Sequence, residues 1–177
     1  MPPSVPVIRP CDRGDGDTIL AIVNAAAEAY RGVIPADRWH EPYMGADELQ
    51  AEIAAGVRFS AYEVGGEVVG VMGIQPVRNV DLIRHAYVLP AWQGRGVGGA
   101  LMRHLLERQE RQVLVGTWAA ATWAIGFYER NAFRLVPAAA KALLLKAYWT
   151  IPERQVDVSV VLAAPPLSLE EARKLAA

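Results

Sequence analysis

Four glycines stand within the seven residues Gln93–Gly99, between a predicted strand and a predicted helix. The strand is Val80–Val88, and the helix runs to about Glu110. Such a loop exposes the first N–H groups of the helix, and glycines let an anion come close to the backbone. The arrangement therefore predicts a phosphate site. The helix places its apolar residues on one face: Val97, Leu101, Met102 and Leu105.

Two phosphate-bearing cofactors compete for this loop. The spacing Gly94-x-Gly96-x-x-Gly99 satisfies the dinucleotide fingerprint, which also requires an acidic residue at the end of a strand about 20 residues later. Here that strand is Val113–Thr117, which contains no carboxylate. The loop also lies in the middle of the chain, behind a predicted hairpin. Both observations disfavour a nicotinamide cofactor.

The residues around the loop match a second pattern more fully. The stretch Val88–Leu101 resembles the acetyl-CoA signature of the GNAT superfamily of N-acetyltransferases, whose core falls on Gln93, Gly96 and Gly98. A later stretch, Ala124–Phe133, looks like that family's helix ending in Phe-Tyr-x-x-x-Gly-Phe. The two motifs occur in family order.

The resemblance covers about residues 5–162 and implies acetyl-CoA as co-substrate. It implies that the fourth and fifth strands splay apart and that pantetheine pairs with backbone near Ala86, Tyr87 and Val88. The pyrophosphate then lies on the loop amides of Gln93–Gly98. The full set that the resemblance assigns to the cofactor is Ala86, Tyr87, Val88, Gln93, Gly94, Arg95, Gly96, Val97, Gly98, Gly99, Ala124, Phe127 and Tyr128.

The rest of the chain alternates helical and extended patterns, which predicts an α+β fold. The pattern indicates one mixed sheet, and the resemblance implies that it is mostly antiparallel, with about six to seven strands and helices on both faces. The paired glycines Gly65-Gly66 predict a hairpin, and the alternation in Gln155–Leu162 predicts a half-buried strand. Residues 1–163 are expected to form the acetyltransferase domain. Residues 164–177 are expected to form a tail with a short helix, because Ser168 and Glu171 have the spacing of a capping box.

Two positions depart from the family pattern. Ala121 stands where the family often has an asparagine, which removes one side-chain contact to the cofactor. Ala132 replaces the usual glycine after the later helix, and we expect Asn131 to supply the positive φ there instead.

Acetyl transfer requires loss of a proton from the amine and protonation of the leaving thiolate. The resemblance implies that Tyr128 donates to the departing sulfur. His85 is the central ionisable residue of the fourth strand and the first candidate for the general base. Strand alternation predicts His85 and Tyr87 on one face and Arg84 and Ala86 on the other. Glu41 and His40 are alternative candidates for the base. A purely structural role is the other interpretation of His85.

The acceptor side is expected to carry aromatic and charged side chains. If the resemblance holds, it is lined by Trp39, His40, Glu41, Tyr43 and Trp149. Aromatic rings around a carboxylate suit the primary amine of a small molecule. Two alternatives stay open: acetylation of protein amines, and a non-catalytic CoA-binding sensor or interaction module.

The charge balance excludes several classes of function. The chain has 18 Lys+Arg against 19 Asp+Glu, a formal net charge of −1, which does not suit a nucleic-acid partner. No apolar run reaches the roughly 18–20 residues of a membrane span, so we expect no membrane partner. The three histidines have no ligand spacing, so no metal is expected, and one cysteine, Cys11, indicates a reducing, cytoplasmic location. A homodimer is open, because Gln155–Leu162 could pair across chains as an exposed strand.

Overall fold

The computed structural model describes residues 5–177. These residues form an open seven-stranded sheet and seven α-helices. The strands are β1 (Val7–Pro10), β2 (Arg58–Val64), β3 (Glu67–Val77), β4 (Val80–Val88), β5 (Gln112–Trp118), β6 (Arg134–Leu135) and β7 (Ser159–Ala164). The helices are α1 (Gly16–Ala27), α2 (Ala46–Ala54), α3 (Val97–Leu106), α4 (Thr122–Arg130), α5 (Ala138–Tyr148), α6 (Glu153–Asp157) and α7 (Leu169–Ala176).

The strand order is β1-β2-β3-β4-β5-β7-β6. β4 and β5 run parallel, whereas β1 with β2, β2 with β3, β5 with β7 and β6 with β7 are antiparallel. The parallel register joins Val80–Ile83 to Gln112–Val115. The predicted α+β fold with one mixed, mostly antiparallel sheet is confirmed.

The chain divides into two compact units, and β4 contributes to both. The first unit contains the chain up to Gln75 together with Arg84–Arg108. Its core joins one face of α1 to Leu49 of α2 and to Phe59 and Val71 of the sheet. Helix α3 lies so close to β3 that a Cβ on Gly70 would be 2.8 Å from Cγ1 of Val97, so only glycine fits there.

The second unit contains Pro76–Ile83 and Gln109–Ala177. Its core is formed by alternate residues of β4, β5 and β7 against α5 and α7. The hydroxyl of Tyr148 lies 2.8 Å from Oδ1 of Asn79 and 2.6 Å from the carbonyl oxygen of Leu175. These contacts tie α7 to the start of β4. The capping box at Ser168 forms as its spacing predicts. The division of the chain into a domain, residues 1–163, and a tail, residues 164–177, stays a prediction.

The prediction of a strand over Gln155–Leu162 is wrong in its first half. Pro152 precedes a short helix, α6, in which Val156 is buried, and the strand begins only at Ser159. A proline fixes the backbone at a helix start, so local geometry overrides the alternating pattern. β7 pairs with β5 on one side and β6 on the other, so it is not the exposed strand that we expected to pair across chains.

The prediction that Asn131 supplies a positive φ is also wrong. Asn131 has φ −116°, and Ala132 itself adopts φ 74°. Phe133 N–H donates to the carbonyl oxygen of Tyr128 at 3.1 Å, and the rings of these two residues lie 5.8 Å apart. This is the hydrogen bond and the apolar contact of a Schellman ending, with Ala132 at the position that favours glycine. The Nδ2 of Asn131 instead donates to the carbonyl oxygen of Phe127 at 2.7 Å.

Replacing Ala132 with glycine is therefore expected to stabilise the protein by about 1 kcal/mol, because the left-handed strain of a Cβ is removed. Urea unfolding at fixed pH measures the change. The control is Ala142→Gly at an exposed position inside α5, which is expected to destabilise by about 1 kcal/mol. A loss of stability in Ala132→Gly would contradict the assignment of the helix ending.

Candidate functional site

The glycine loop forms the entrance to α3. A short 3₁₀ turn, Pro90–Trp92, follows β4, and then Gly94 and Gly96 adopt φ 73° and 84°. Both values are in the left-handed region, which glycine occupies without strain. The first hydrogen bond of α3 runs from Ala100 N–H to the carbonyl oxygen of Gly96 at 3.0 Å. The amides just before it stand at the positive end of the helix, with no acidic residue in its first turn.

Two side chains of the loop have structural contacts. Gln93 donates from Nε2 to the carbonyl oxygen of Val88 at 3.1 Å, which ties the loop to the end of β4. Its backbone N–H donates to the carbonyl oxygen of Pro90 at 3.3 Å. The backbone N–H groups that could bind an anion therefore begin after Gln93. The guanidinium of Arg95 lies 5.3 Å from the ring centroid of Trp92, which places a positive charge beside the loop.

The backbone of β4 leaves the extended conformation at His85, where φ is +54°. The expected alternation of side chains is wrong at this point, because Arg84 and His85 contact the same carboxylate. That carboxylate belongs to Glu52 of α2. A left-handed residue inside a strand is typical of a bulge, which redirects a side chain. His85 is not a glycine, so this conformation is strained.

Glu52 accepts hydrogen bonds from both neighbours. Nη2 of Arg84 lies 2.8 Å and 3.0 Å from the two carboxylate oxygens, and Nε2 of His85 lies 2.6 Å from Oε2. Burial alone would raise the pKa of Glu52. The hydrogen bond from His85 and the positive charges of His85 and Arg84 outweigh burial and lower this pKa below its usual value. Glu52 is therefore a carboxylate at neutral pH.

Arg84 is itself held from a second direction. Its Nη1 donates to Oε1 of Gln75 at 2.8 Å, and Nε2 of Gln75 donates to the carbonyl oxygen of Ala55 at 3.0 Å. The pair Glu52 and Arg84 is thus fixed between the end of α2 and the sheet. The side chains of Glu52, Arg84 and His85 are 18%, 26% and 14% exposed, so solvent screens their interactions only in part.

Sequence reasoning missed Glu52. A signal was present: Glu52 follows the buried Leu49 by three residues, which places both on one face of α2. An acidic residue on the apolar face of a helix needs a partner, whereas Asp47 and Glu48 lie on its exposed side. The partner itself was not predictable, because it depends on the backbone conformation of His85.

The alternative bases have local partners. Glu41 forms an ion pair with Arg31, which also binds Glu28 at 2.9 Å. Nδ1 of His40 lies 2.7 Å from the carbonyl oxygen of Pro42. Glu41 and His40 are both exposed. Neither has the enclosed environment of His85.

The aromatic residues expected on the acceptor side form one cluster in the first unit. Tyr43 lies at its centre, with ring centroids 5.5 Å from Trp39, 6.0 Å from Tyr30 and 6.2 Å from His40. Tyr30 also meets Tyr87 of β4 edge to face at 6.5 Å, so the cluster extends to the strand that carries His85. The guanidinium of Arg31 lies 4.7 Å from the centroid of Trp39. Nε1 of Trp39 is buried and has no hydrogen-bond partner among residues 5–177.

Tyr128, Ala124 and Phe127 lie on α4, in the second unit. Tyr128 is 8% exposed, and its ring meets Phe127 and Phe133 edge to face at 5.3 Å and 5.8 Å. Ala121 and Ala124 are buried on the same side of α4, as their spacing predicts.

Trp149 also belongs to the second unit, where its indole covers β5. A Cβ on Gly116 would meet the indole at 3.3 Å. The ring also packs against the α5 core, so its place in an acceptor site stays a prediction.

Cys11 and the possible metal ligands lie outside the cluster of Glu52, Arg84 and His85. Burial, aided by the charge of Asp15, raises the pKa of the Cys11 thiol to about 12. Within the described part of the chain, no three His, Cys, Asp or Glu side chains are grouped as metal ligands. No helix in residues 5–177 is long and apolar enough to cross a membrane.

Comparison with known proteins gives one family and a consistent fold. Residues 55–135 match the acetyltransferase (GNAT) domain family. No curated protein sequence matches the chain. The PaiA N-acetyltransferase of Thermoplasma acidophilum, solved with coenzyme A, aligns with a TM-score of 0.67 at 13% identity, over 90% of this chain and 98% of that one.

Two further structures show the same fold. The ribosomal-protein-S18-alanine N-acetyltransferase of Escherichia coli aligns with a TM-score of 0.61 at 16% identity, over 93% of this chain and 96% of that one. A spermidine N-acetyltransferase chimera that includes the Vibrio cholerae enzyme aligns with a TM-score of 0.62 at 14% identity, over 96% and 97% of the two chains.

The raised pKa of Cys11 predicts an unreactive thiol. A pKa of about 12 against the ordinary 9.0 leaves about a thousandfold less thiolate, which is the reactive form. We expect labelling by a disulfide reagent at pH 8 to be slower by about that factor in the native protein than in guanidinium. Rapid native labelling, or an acetyl adduct on Cys11 after incubation with acetyl-CoA, would contradict this expectation.

Proposed function

Because this chain carries a GNAT acetyltransferase domain, we propose that it transfers an acetyl group from acetyl-CoA to the primary amine of a small molecule. The transfer takes place by direct attack in a ternary complex. The observation that carries the proposal is the loop before α3, where Gly94 and Gly96 take positive φ and turn backbone amides toward solvent at a helix N-terminus.

The loop suits the diphosphate of acetyl-CoA in its charge and in its hydrogen-bond donors. Its donors are backbone N–H groups from Gly94 onward, and the first turn of α3 contains no acid that would repel an anion. Arg95 adds one positive charge from its place over Trp92. When bound, acetyl-CoA supplies an activated thioester. We assign its pantetheine arm to the backbone of Ala86, Tyr87 and Val88.

In the proposed reaction, His85 removes a proton from the ammonium form of the acceptor. The freed lone pair attacks the thioester carbonyl carbon, a C–N bond forms, and the C–S bond breaks. Tyr128 gives its hydroxyl proton to the departing sulfur, and the second proton that the nitrogen loses as the amide forms restores the hydroxyl. A backbone N–H near Val88 binds the carbonyl oxygen while it carries negative charge. The partly enclosed His85 supports this role better than the exposed His40 and Glu41.

The acceptor site is assigned to the aromatic cluster around Tyr43. Its rings attract a cationic amine through their faces, as they already do with the guanidinium of Arg31 over Trp39, and the carboxylate of Glu41, which pairs with Arg31, lies nearby in sequence. Two of the compared enzymes are named for different acceptors, one for spermidine and one for an alanine of a ribosomal protein. We favour a small amine because the cluster is built from large rings in mutual contact around one centre.

An acceptor panel tests this proposal. We expect acetyl-CoA, but not NAD(H), to raise the melting temperature, with about 2.7 kcal/mol of stabilisation at a hundredfold excess over Kd. CoA release is then measured with polyamines, aromatic amines, amino acids and peptides bearing free N-termini. Turnover with small amines is the expected result. Turnover with peptides alone would transfer the proposal to protein acceptors, and binding without turnover would favour the sensor module.

The acid role of Tyr128 makes a separate prediction. We expect Tyr128→Phe to lower kcat by about 100-fold, with little change in KM for acetyl-CoA, because the thiolate must leave unprotonated. Tyr148→Phe is the matched control in the same unit: it removes two structural contacts of a hydroxyl and should lower the melting temperature without changing kcat. Full kcat in Tyr128→Phe across pH would exclude the acid role.

A further inference from the structure

We infer that Glu52 is a positioning residue for His85, and that it makes Nδ1 of the imidazole the atom that accepts the proton of the acceptor amine. The inference rests on the proposed function. It adds a residue that neither of the sequence motifs contains, and it chooses between the two nitrogens of His85.

The choice of nitrogen follows from the hydrogen bond. A carboxylate can only accept, so Nε2 of His85, 2.6 Å from Oε2 of Glu52, must carry the hydrogen. In the neutral ring Nδ1 then has the lone pair. No residue in the described range 5–177 hydrogen-bonds this atom. The ring of Phe59 lies parallel to the imidazole, with centroids 5.9 Å apart and planes 24° apart, and so restricts its rotation.

Arg84 keeps Glu52 in the acceptor state. Its Nη2 contacts both carboxylate oxygens, and its Nη1 is anchored to Gln75. Protonation of Glu52 would break these contacts, so the carboxylate holds its charge while His85 changes protonation. The groups that face His85 are Glu52 from α2, Phe59 from β2 and its neighbour Arg84. Among them, Glu52 is the group that carries a negative charge.

The backbone gives an independent reason to assign a function to this contact. The φ of +54° at His85 is unfavourable for any residue with a Cβ. An extended strand would turn Arg84 and His85 to opposite faces, and one carboxylate would not reach both. The strained conformation is thus the one that brings His85 to Glu52, as strained residues at active sites often do for catalytic groups.

Glu52→Gln tests the inference by its kinetics. We expect kcat/KM to fall by about 10- to 100-fold, because the imidazole loses the partner that fixes its tautomer and orientation. Glu48→Gln removes the same charge from an exposed position one turn earlier on α2, and should leave kcat/KM unchanged. An unchanged kcat/KM in Glu52→Gln would overturn the inference.

A second measurement does not depend on activity. The ¹⁵N shifts of His85, assigned with His85→Gln, should show the neutral tautomer protonated at Nε2 in the wild type and a mixture in Glu52→Gln. A wild-type tautomer protonated at Nδ1 overturns the inference even if amines are acetylated. If no amine is acetylated, the proposed function fails. The tautomer of His85 then still shows whether Nε2 donates to Glu52. Should Glu52→Gln not fold, the wild-type spectrum alone decides between the two tautomers.

Discussion

The left-handed backbone of His85 is the constraint on which the candidate catalytic site depends. It interrupts β4 and directs Arg84 and His85 toward one carboxylate. Glu52 can then be half-buried as an ion, because two donors compensate its loss of hydration. The same contact fixes α2 against the sheet through Gln75 and Ala55. Backbone geometry, side-chain charge and helix position are therefore one coupled arrangement, and removal of the carboxylate would leave Arg84 without its charge partner.

The anion site that we propose at the glycine loop does not depend on the overall charge of the protein. The chain has 18 basic and 19 acidic residues, so no general positive field attracts a phosphate. The attraction is local: amides after Gly94, the N-terminus of α3 and the single cation of Arg95 over Trp92. Backbone donors keep their positions without the conformational entropy that long lysine side chains would lose on binding. In this proposal, a protein with a net charge close to zero binds an anion through donors at one place in the fold.

Much of this fold follows from local sequence, and its failures have physical causes. The hairpin at Gly65-Gly66, the strand Val80–Val88 and the glycine loop were predictable, because each depends on neighbouring residues. Three features depended on more than the local pattern. Gln155–Leu162 alternates like a strand, but Pro152 starts a helix there. Asn131 uses its side chain on Phe127, so Ala132 takes the left-handed position. The role of Glu52 depends on the left-handed backbone of His85, which brings the imidazole to the carboxylate.

The contacts of Glu52 also argue for the imidazole as the base in place of a carboxylate. Arg84 and His85 make three hydrogen-bond contacts to the two oxygens of Glu52 and stabilise its charged form, which lowers its pKa and makes it a weaker base. Protonation would also remove the charge that holds Arg84. His85 can change protonation without breaking its bond to Glu52, because Nε2 donates in both states of the ring. The arrangement thus assigns a fixed charge to the carboxylate and proton transfer to the histidine, which is the division of roles seen in carboxylate–histidine pairs generally.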